Sequence, residues 1–169
     1  EKDGVRFMQS GKIENPLQGC SCVISDVARL LAGNLQLGEG ELLIVDNDAG
    51  IESFGRGAEQ GMDTVLIIVE PSYESVELAE TIQYMSEGLG IRRVRAVINK
   101  IRDSAQDEEV KDMLAERGVR FLGSLSLDSP LARSNLRGAA VSASPALAEM
   151  ERLVMLMLDE AELPYRRTE

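Results

Sequence analysis

Apolar positions along the chain fall into short continuous runs that alternate with stretches of helical spacing. Val5 to Met8 is a short run suited to a strand. Val27, Leu30, Leu31 and Leu35 share one face of a helix that Ser25 and Asp26 are placed to cap and that Gly38 and Gly40 end. Leu42 to Val45, with the aliphatic stem of Glu41, reads as a strand covered on both faces. Thr64 to Val69 is another strand, and Pro71-Ser72 then opens a helix that closes at Gly88 to Gly90, with Glu74 and Glu77 in its first turn. Further strands are expected at Val94 to Ile98 and Val119 to Leu122. Between them lies a helix over about residues 105 to 117 with Val110, Met113 and Leu114 as its buried stripe. The last helix runs from Pro145 to about Glu160, with Leu147, Met150, Leu153, Val154 and Leu158 at core spacing and Met155 and Met157 as core filler. Five strands alternating with helices predict a doubly wound, mostly parallel α/β sheet with helices on both faces.

The carboxyl ends of such strands face the crevice where open α/β sheets bind ligands, and two of these ends carry chemistry. Asp46 closes the Leu42 to Val45 run and is followed by Asp48, Ala49 and Gly50. A carboxylate that can hold a magnesium-bound water, then a glycine that lets backbone amides approach an anion, is half of a nucleoside triphosphate site. A strand end followed by a plain acidic turn is the alternative. Asn99 and Lys100 follow the Val94 to Ile98 run; an Asn carboxamide offers one acceptor and two donors, a match for the amino group and ring nitrogen of adenine. Both residue types also follow strands for turn chemistry alone.

Length and charge narrow the class. A chain of 169 residues is long enough for one domain burying roughly two-thirds of its unfolded surface. Its 44% hydrophobic and 28% charged residues are ordinary for a folded protein. A net charge of −11 argues against nucleic acid or an anionic membrane as the main partner. With no apolar run of membrane-spanning length and no signal peptide, the expected compartment is the cytoplasm. There is no histidine, so a transition-metal site must use Cys20, Cys22 and carboxylates. Cys20-Ser21-Cys22 is too tight for an unstrained disulfide. Its two thiolates supply half of a tetrahedral Cys₄ set, which a two-fold dimer would complete; packing as small hydrophobes is the alternative.

The segment Asp46-Asn47-Asp48-Ala49-Gly50-Ile51-Glu52, followed by Gly55-Arg56-Gly57, resembles the D-x-x-A-G-I-E segment of the MinD, ParA and nitrogenase iron protein superfamily of deviant P-loop ATPases. Within it, the wording is most similar to the CooC group, ATPases that help insert nickel into carbon monoxide dehydrogenase. Gly11-Lys12-Ile13-Glu14, Gly19-Cys20-Ser21-Cys22, Val69-Glu70-Pro71-Ser72 and Asn99-Lys100 are matched in order. The loop near Asp128 also matches, with Ser124, Leu125 and Ser126 departing from the usual wording. The resemblance implies a single domain over residues 1–169, equivalent to the carboxyl-terminal two-thirds of a MinD- or CooC-like P-loop NTPase that lacks the first strand and the P-loop. It implies Asp46 and Gly50 in the catalytic switch, Asn99, Lys100 and Asp128 at the adenine, and Cys20 and Cys22 on Zn²⁺ or Ni²⁺. It further implies ATP or ADP with Mg²⁺ in a full-length parent, a homodimer, and carbon monoxide dehydrogenase or a similar nickel enzyme as partner. Gly11-Lys12 is not a Walker A sequence, so the chain by itself is expected to be inactive as an ATPase. Glu1 in place of Met fits a chain that does not begin at a translation start. A generic MinD- or ParA-like ATPase, and a metal-binding or dimerisation module without nucleotide chemistry, are the other readings.

Overall fold

In the computed structural model, residues 4–9, 22–47, 50–141 and 144–161 are described. They divide into two compact units, Glu1–Gly61 and Met62–Glu169.

The first unit holds helix α1 (Cys22–Asn34) and the single turn α2 (Glu52–Gly55). Helix α1 begins before Ser25 and Asp26, which lie inside it instead of capping it. Residues 5–8 and 42–45, expected as strands, form none, save for an isolated bridge at Val5. Their burial is also not as expected: Ile44 is 81% exposed, and Leu42 and Val45 are exposed too. An apolar run specifies a strand only when a neighbouring backbone completes its hydrogen bonds, and among the described residues the hydrogen bonds leading up to this one stop at Glu41, ahead of the run. Arg6 pairs with Glu41, whose carboxylate accepts from the Gly38 amide at 2.7 Å.

The second unit is built on a three-stranded parallel sheet of β1 (Thr64–Val69), β2 (Arg93–Ile101) and β3 (Phe121–Ser126), in that spatial order. Helix α3 (Tyr73–Gly88) connects β1 to β2 and α4 (Ser104–Glu116) connects β2 to β3. Both pack on one face, as right-handed crossovers between successive neighbours require. Alternation along the strands sets that core: Ile67 and Val69 of β1 and Val94, Ala96 and Ile98 of β2 point to Val76, Ala79, Val110 and Leu114. Helix starts follow their polar caps, with Ser72 accepting from the Ser75 amide at 3.2 Å and Asp103 from the Gln106 amide at 2.9 Å.

Helix α5 (Ser129–Leu136) and helix α6 (Pro145–Glu160) complete the unit. Helix α6 packs on β3 from the opposite face, where Leu153 meets Val97 and Leu125. The α/β expectation of a parallel sheet with helices on both faces holds. Strand β3 starts two residues later than Val119 and runs through Ser124 to Ser126, placed by sequence in the following loop. Its Gly123 allows this, since a Cβ there would meet Leu153. Leu147, Met150 and Met155 of α6 are exposed rather than core, because only the side of α6 around Leu153 meets the sheet.

Candidate functional site

All three strands of the second unit end at one edge of the sheet, and each end is followed by residues able to hydrogen-bond a ligand. At the end of β1, the Glu70 amide donates to Ser75 Oγ at 3.0 Å and the Glu70 carbonyl accepts from the Ser72 amide at 2.7 Å. This turn fixes Glu70 directly before the Ser72 cap of α3, with its carboxylate left toward solvent.

The end of β2 is irregular. Ile98 is opposite Ser124 and Ile101 opposite Ser126, so three steps on β2 answer two on β3, and one residue is extra. Lys100 takes up the difference with φ +63°, the one positive φ outside glycine among the described residues. The Lys100 amide donates to Asn99 Oδ1 at 3.0 Å and its ammonium pairs with Glu70. Asn99 therefore sits half-buried with its carboxamide oxygen turned back to the chain, leaving the Nδ2 hydrogens to an external acceptor. Beyond the bulge the ladder resumes, the Leu127 amide donating to the Ile101 carbonyl at 2.7 Å.

At the end of β3, Asp128 caps two helices at once. Its Oδ1 accepts from the Leu131 amide at 2.7 Å to start α5, and its Oδ2 accepts from Ser144 Oγ and from the Ala146 amide at 3.2 Å to start α6. The Ser144 hydroxyl and the two amides hold this carboxyl below its ordinary value. Sequence reading gave Asp128 an adenine contact and left residues 129–136 as loop. Asp128-Ser129-Pro130, an N-cap with proline in the first turn, is the signal that announces α5. Ser126 is clamped beside it, its amide and hydroxyl both donating to the Glu149 carboxylate at 2.7 Å. On the far side of Asp128, Arg133 and Arg137 stand one turn apart and line an open groove of about 340 Å³ with Pro130, Ser134 and Ala139.

Asp46 and Gly50 belong to the first unit. Asp46 is exposed, directly after the run Leu42 to Val45. Asn47 next to it donates to Glu59 Oε1 at 3.3 Å, and Glu59 is buried with its other oxygen unpartnered. No sequence pattern marked Glu59, since an isolated glutamate in a glycine-rich stretch reads as surface. Gly50 has φ +114°, a backbone conformation that residues with a Cβ rarely adopt, so glycine suits this position. Asp48, Ala49 and Cys20 lie outside the described residues; Cys22 is the first residue of α1. Among the described residues no group of three or more Cys, His, Asp or Glu is placed to hold a metal ion, and no helix is long and apolar enough to cross a membrane.

The chain is 39% identical over 116 residues to an uncharacterised ATP-binding protein of Methanocaldococcus jannaschii, covering 69% of this chain and 44% of that protein. A second uncharacterised ATP-binding protein of the same organism is 32% identical over 88% of this chain and 58% of its own length. The carbon monoxide dehydrogenase accessory protein CooC of Rhodospirillum rubrum is 29% identical over 93% of this chain and 59% of its own length. The chain thus spans about half the length of the curated relatives it matches. No protein-family model matches it. Among solved structures, a chain of the MinC:MinD cell division protein complex of Aquifex aeolicus superposes with a TM-score of 0.49 at 18% identity, over 72% of this chain and 51% of that one.

Proposed function

We propose that the chain belongs to an ATP-binding protein of the MinD and ParA type, and that the carboxyl edge of its sheet reads the adenine base through Asn99. The observation that carries this reading is the bulge at Asn99-Lys100: a backbone kept left-handed outside glycine, at the ligand-bearing edge of a parallel sheet, is where functional strain collects. The relatives named ATP-binding share this stretch of chain and support the reading. Asp46 is an exposed oxygen donor suited to a magnesium-bound water, and Gly50, with its positive φ, belongs to the same switch segment. Asp128 orders the base edge by capping α5 and α6, a supporting role in place of a direct adenine contact. Losing a bidentate base contact costs about 1–3 kcal/mol, so in the full-length parent Asn99→Ala should weaken MgATP binding by roughly tenfold or more while leaving the fold intact. Unchanged affinity in titration calorimetry would place the base elsewhere.

The finer reading is a CooC-like factor that matures a nickel enzyme such as carbon monoxide dehydrogenase. It is favoured by the identity to CooC across most of this chain and by Cys20-Ser21-Cys22, two soft thiolates that suit Zn²⁺ or Ni²⁺ and need a second subunit to close a four-sulfur set. One metal per two chains, lost together with dimerisation in a Cys20→Ser, Cys22→Ser variant, is the expected result from elemental analysis beside light scattering. Equal metal content in that variant would reject it.

A further inference from the structure

Three observations converge on Glu70, which has no part in the site described so far beyond its ion pair. Lys100 is held in a left-handed conformation that a residue with a Cβ enters at a cost. Its ammonium reaches back across the carboxyl ends of β1 and β2 to Glu70, both side chains being about half exposed. Its amide then fixes the carboxamide of Asn99 by donating to Oδ1. An ion pair this exposed biases an equilibrium by at most about fivefold, comparable to the cost of one left-handed residue with a Cβ, so it can bias the turn at Lys100 without adding much to global stability.

The geometry bears on which purine is read. Adenine presents a ring acceptor beside an amino donor, whereas guanine presents two acceptors on the same edge. A carboxamide free to flip can meet either edge with its donors. One whose oxygen is pinned by a backbone amide keeps its remaining lone pair and its Nδ2 hydrogens in fixed places, which suits adenine and sets oxygen against oxygen on guanine.

We propose that Glu70 is a positioning residue for base selection: by holding Lys100 in its left-handed turn it keeps the Asn99 carboxamide in the orientation that prefers adenine over guanine. This rests on the adenine reading of Asn99. The test titrates MgATP and MgGTP into the full-length parent, its Glu70→Ala variant and the double variant Glu70→Ala, Lys100→Gly, with the φ of Lys100 followed by its Cα chemical shift and amide coupling constant. Glu70→Ala should narrow the ratio of ATP to GTP affinity by about two- to fivefold while thermal stability changes little, and Lys100 should leave its positive φ. Glycine enters that conformation freely, so the double variant should recover the ratio. An unaltered ratio or an unaltered Lys100 φ in Glu70→Ala, or a ratio that Lys100→Gly does not recover, overturns the role of Glu70 alone. A wild-type parent without preference for ATP overturns the adenine reading and this proposal with it.

Discussion

The two faces of the sheet in the second unit are finished to different degrees. On one, α3 and α4 close a continuous apolar layer from Ile67 to Val119 in which Val69, Val76, Val94, Ile98 and Leu114 are sealed from solvent. On the other, α6 covers only the β2–β3 side through Leu153, and the β1 residues that point that way, Leu66 and Ile68, stay 41% and 56% exposed. The same strands supply both faces, so strand propensity is not what differs. Two helices that alternate with the strands must return to one face because each crossover is right-handed; the other face depends on whatever the remaining chain brings to it. The candidate site lies at the edge shared by both faces, and its irregular residues face neither core.

The contrast is broken most strongly by removing side chains from each core in turn. Leu114→Ala empties a site that is 0% exposed and walled by two helices and the sheet, and should cost about 3–5 kcal/mol. Leu153→Ala opens a site at the margin of a thinner layer that can collapse or admit water, and should cost about 2–3 kcal/mol. Both are read from denaturant midpoints at constant slope. Equal losses would mean that the α6 face is packed as tightly as the other.

Helix caps sharpen the same contrast at a smaller scale. Asp103→Ala removes one cap, that of α4, and should cost about 1 kcal/mol. Asp128→Ala removes the caps of α5 and α6 together. It should therefore lower the midpoint of unfolding by more than Asp103→Ala does. The reverse order would mean that α6 keeps its start through Ser144 and Pro145 alone.

Acid acts on both faces through carboxylates of opposite setting. Burial pushes the Asp107 carboxyl up, but hydrogen bonds from Lys111 and Ser124 and the lysine charge outweigh it and hold it below its ordinary value; Asp128 is lowered by Ser144 and its two amides. A lowered carboxyl adds stability that is complete above its unfolded pKa, near 3.9, and is lost as pH falls through the folded value. Hydrogen bonds to Asp107 and Glu108 raise the Lys111 ammonium, whose contribution is complete below its unfolded value and fades only above about pH 10.4. With no histidine in the chain, these groups predict a stability plateau through neutral pH and a fall below about pH 4. Asp107→Asn and Asp128→Asn should each reduce that acid-side slope; an unchanged slope in both would assign it to other carboxylates.

Much of the well-covered face was legible in the sequence, because its determinants are local. Val and Ile runs marked β1 and β2, Ser72 and the closing glycines bounded α3, and Val110 with Leu114 gave the buried side of α4. What escaped depends on partners far along the chain. Leu42 to Val45 has the composition of a covered strand, yet nothing within the run states whether a neighbour pairs with it. The double cap at Asp128 escaped likewise, since the N-cap of its second helix, Ser144, stands 16 residues later. At the site, Asn99 and Lys100 were visible as residue types after a strand. The bulge and the Glu70 pairing that give them an orientation arise from the register between β2 and its neighbours.

The smallest expected effect is the most informative about the open face. Ile68 lies on β1 with its side chain away from α3, and its neighbours on that face of the strand do not enclose it. If the face is as open in solution as in the structure, Ile68→Thr removes apolar area that already meets water, keeps a β-branched side chain suited to a strand, and should change stability by no more than about 0.5 kcal/mol. Leu66→Thr, which introduces a β-branch suited to a strand, should likewise change stability by no more than about 0.5 kcal/mol. A loss above about 1 kcal/mol for either would be a burial effect and would mean that another segment or a second molecule covers β1. Repeating the measurement at tenfold higher protein concentration separates the two, because cover by a second molecule makes the loss depend on concentration and cover within one chain does not.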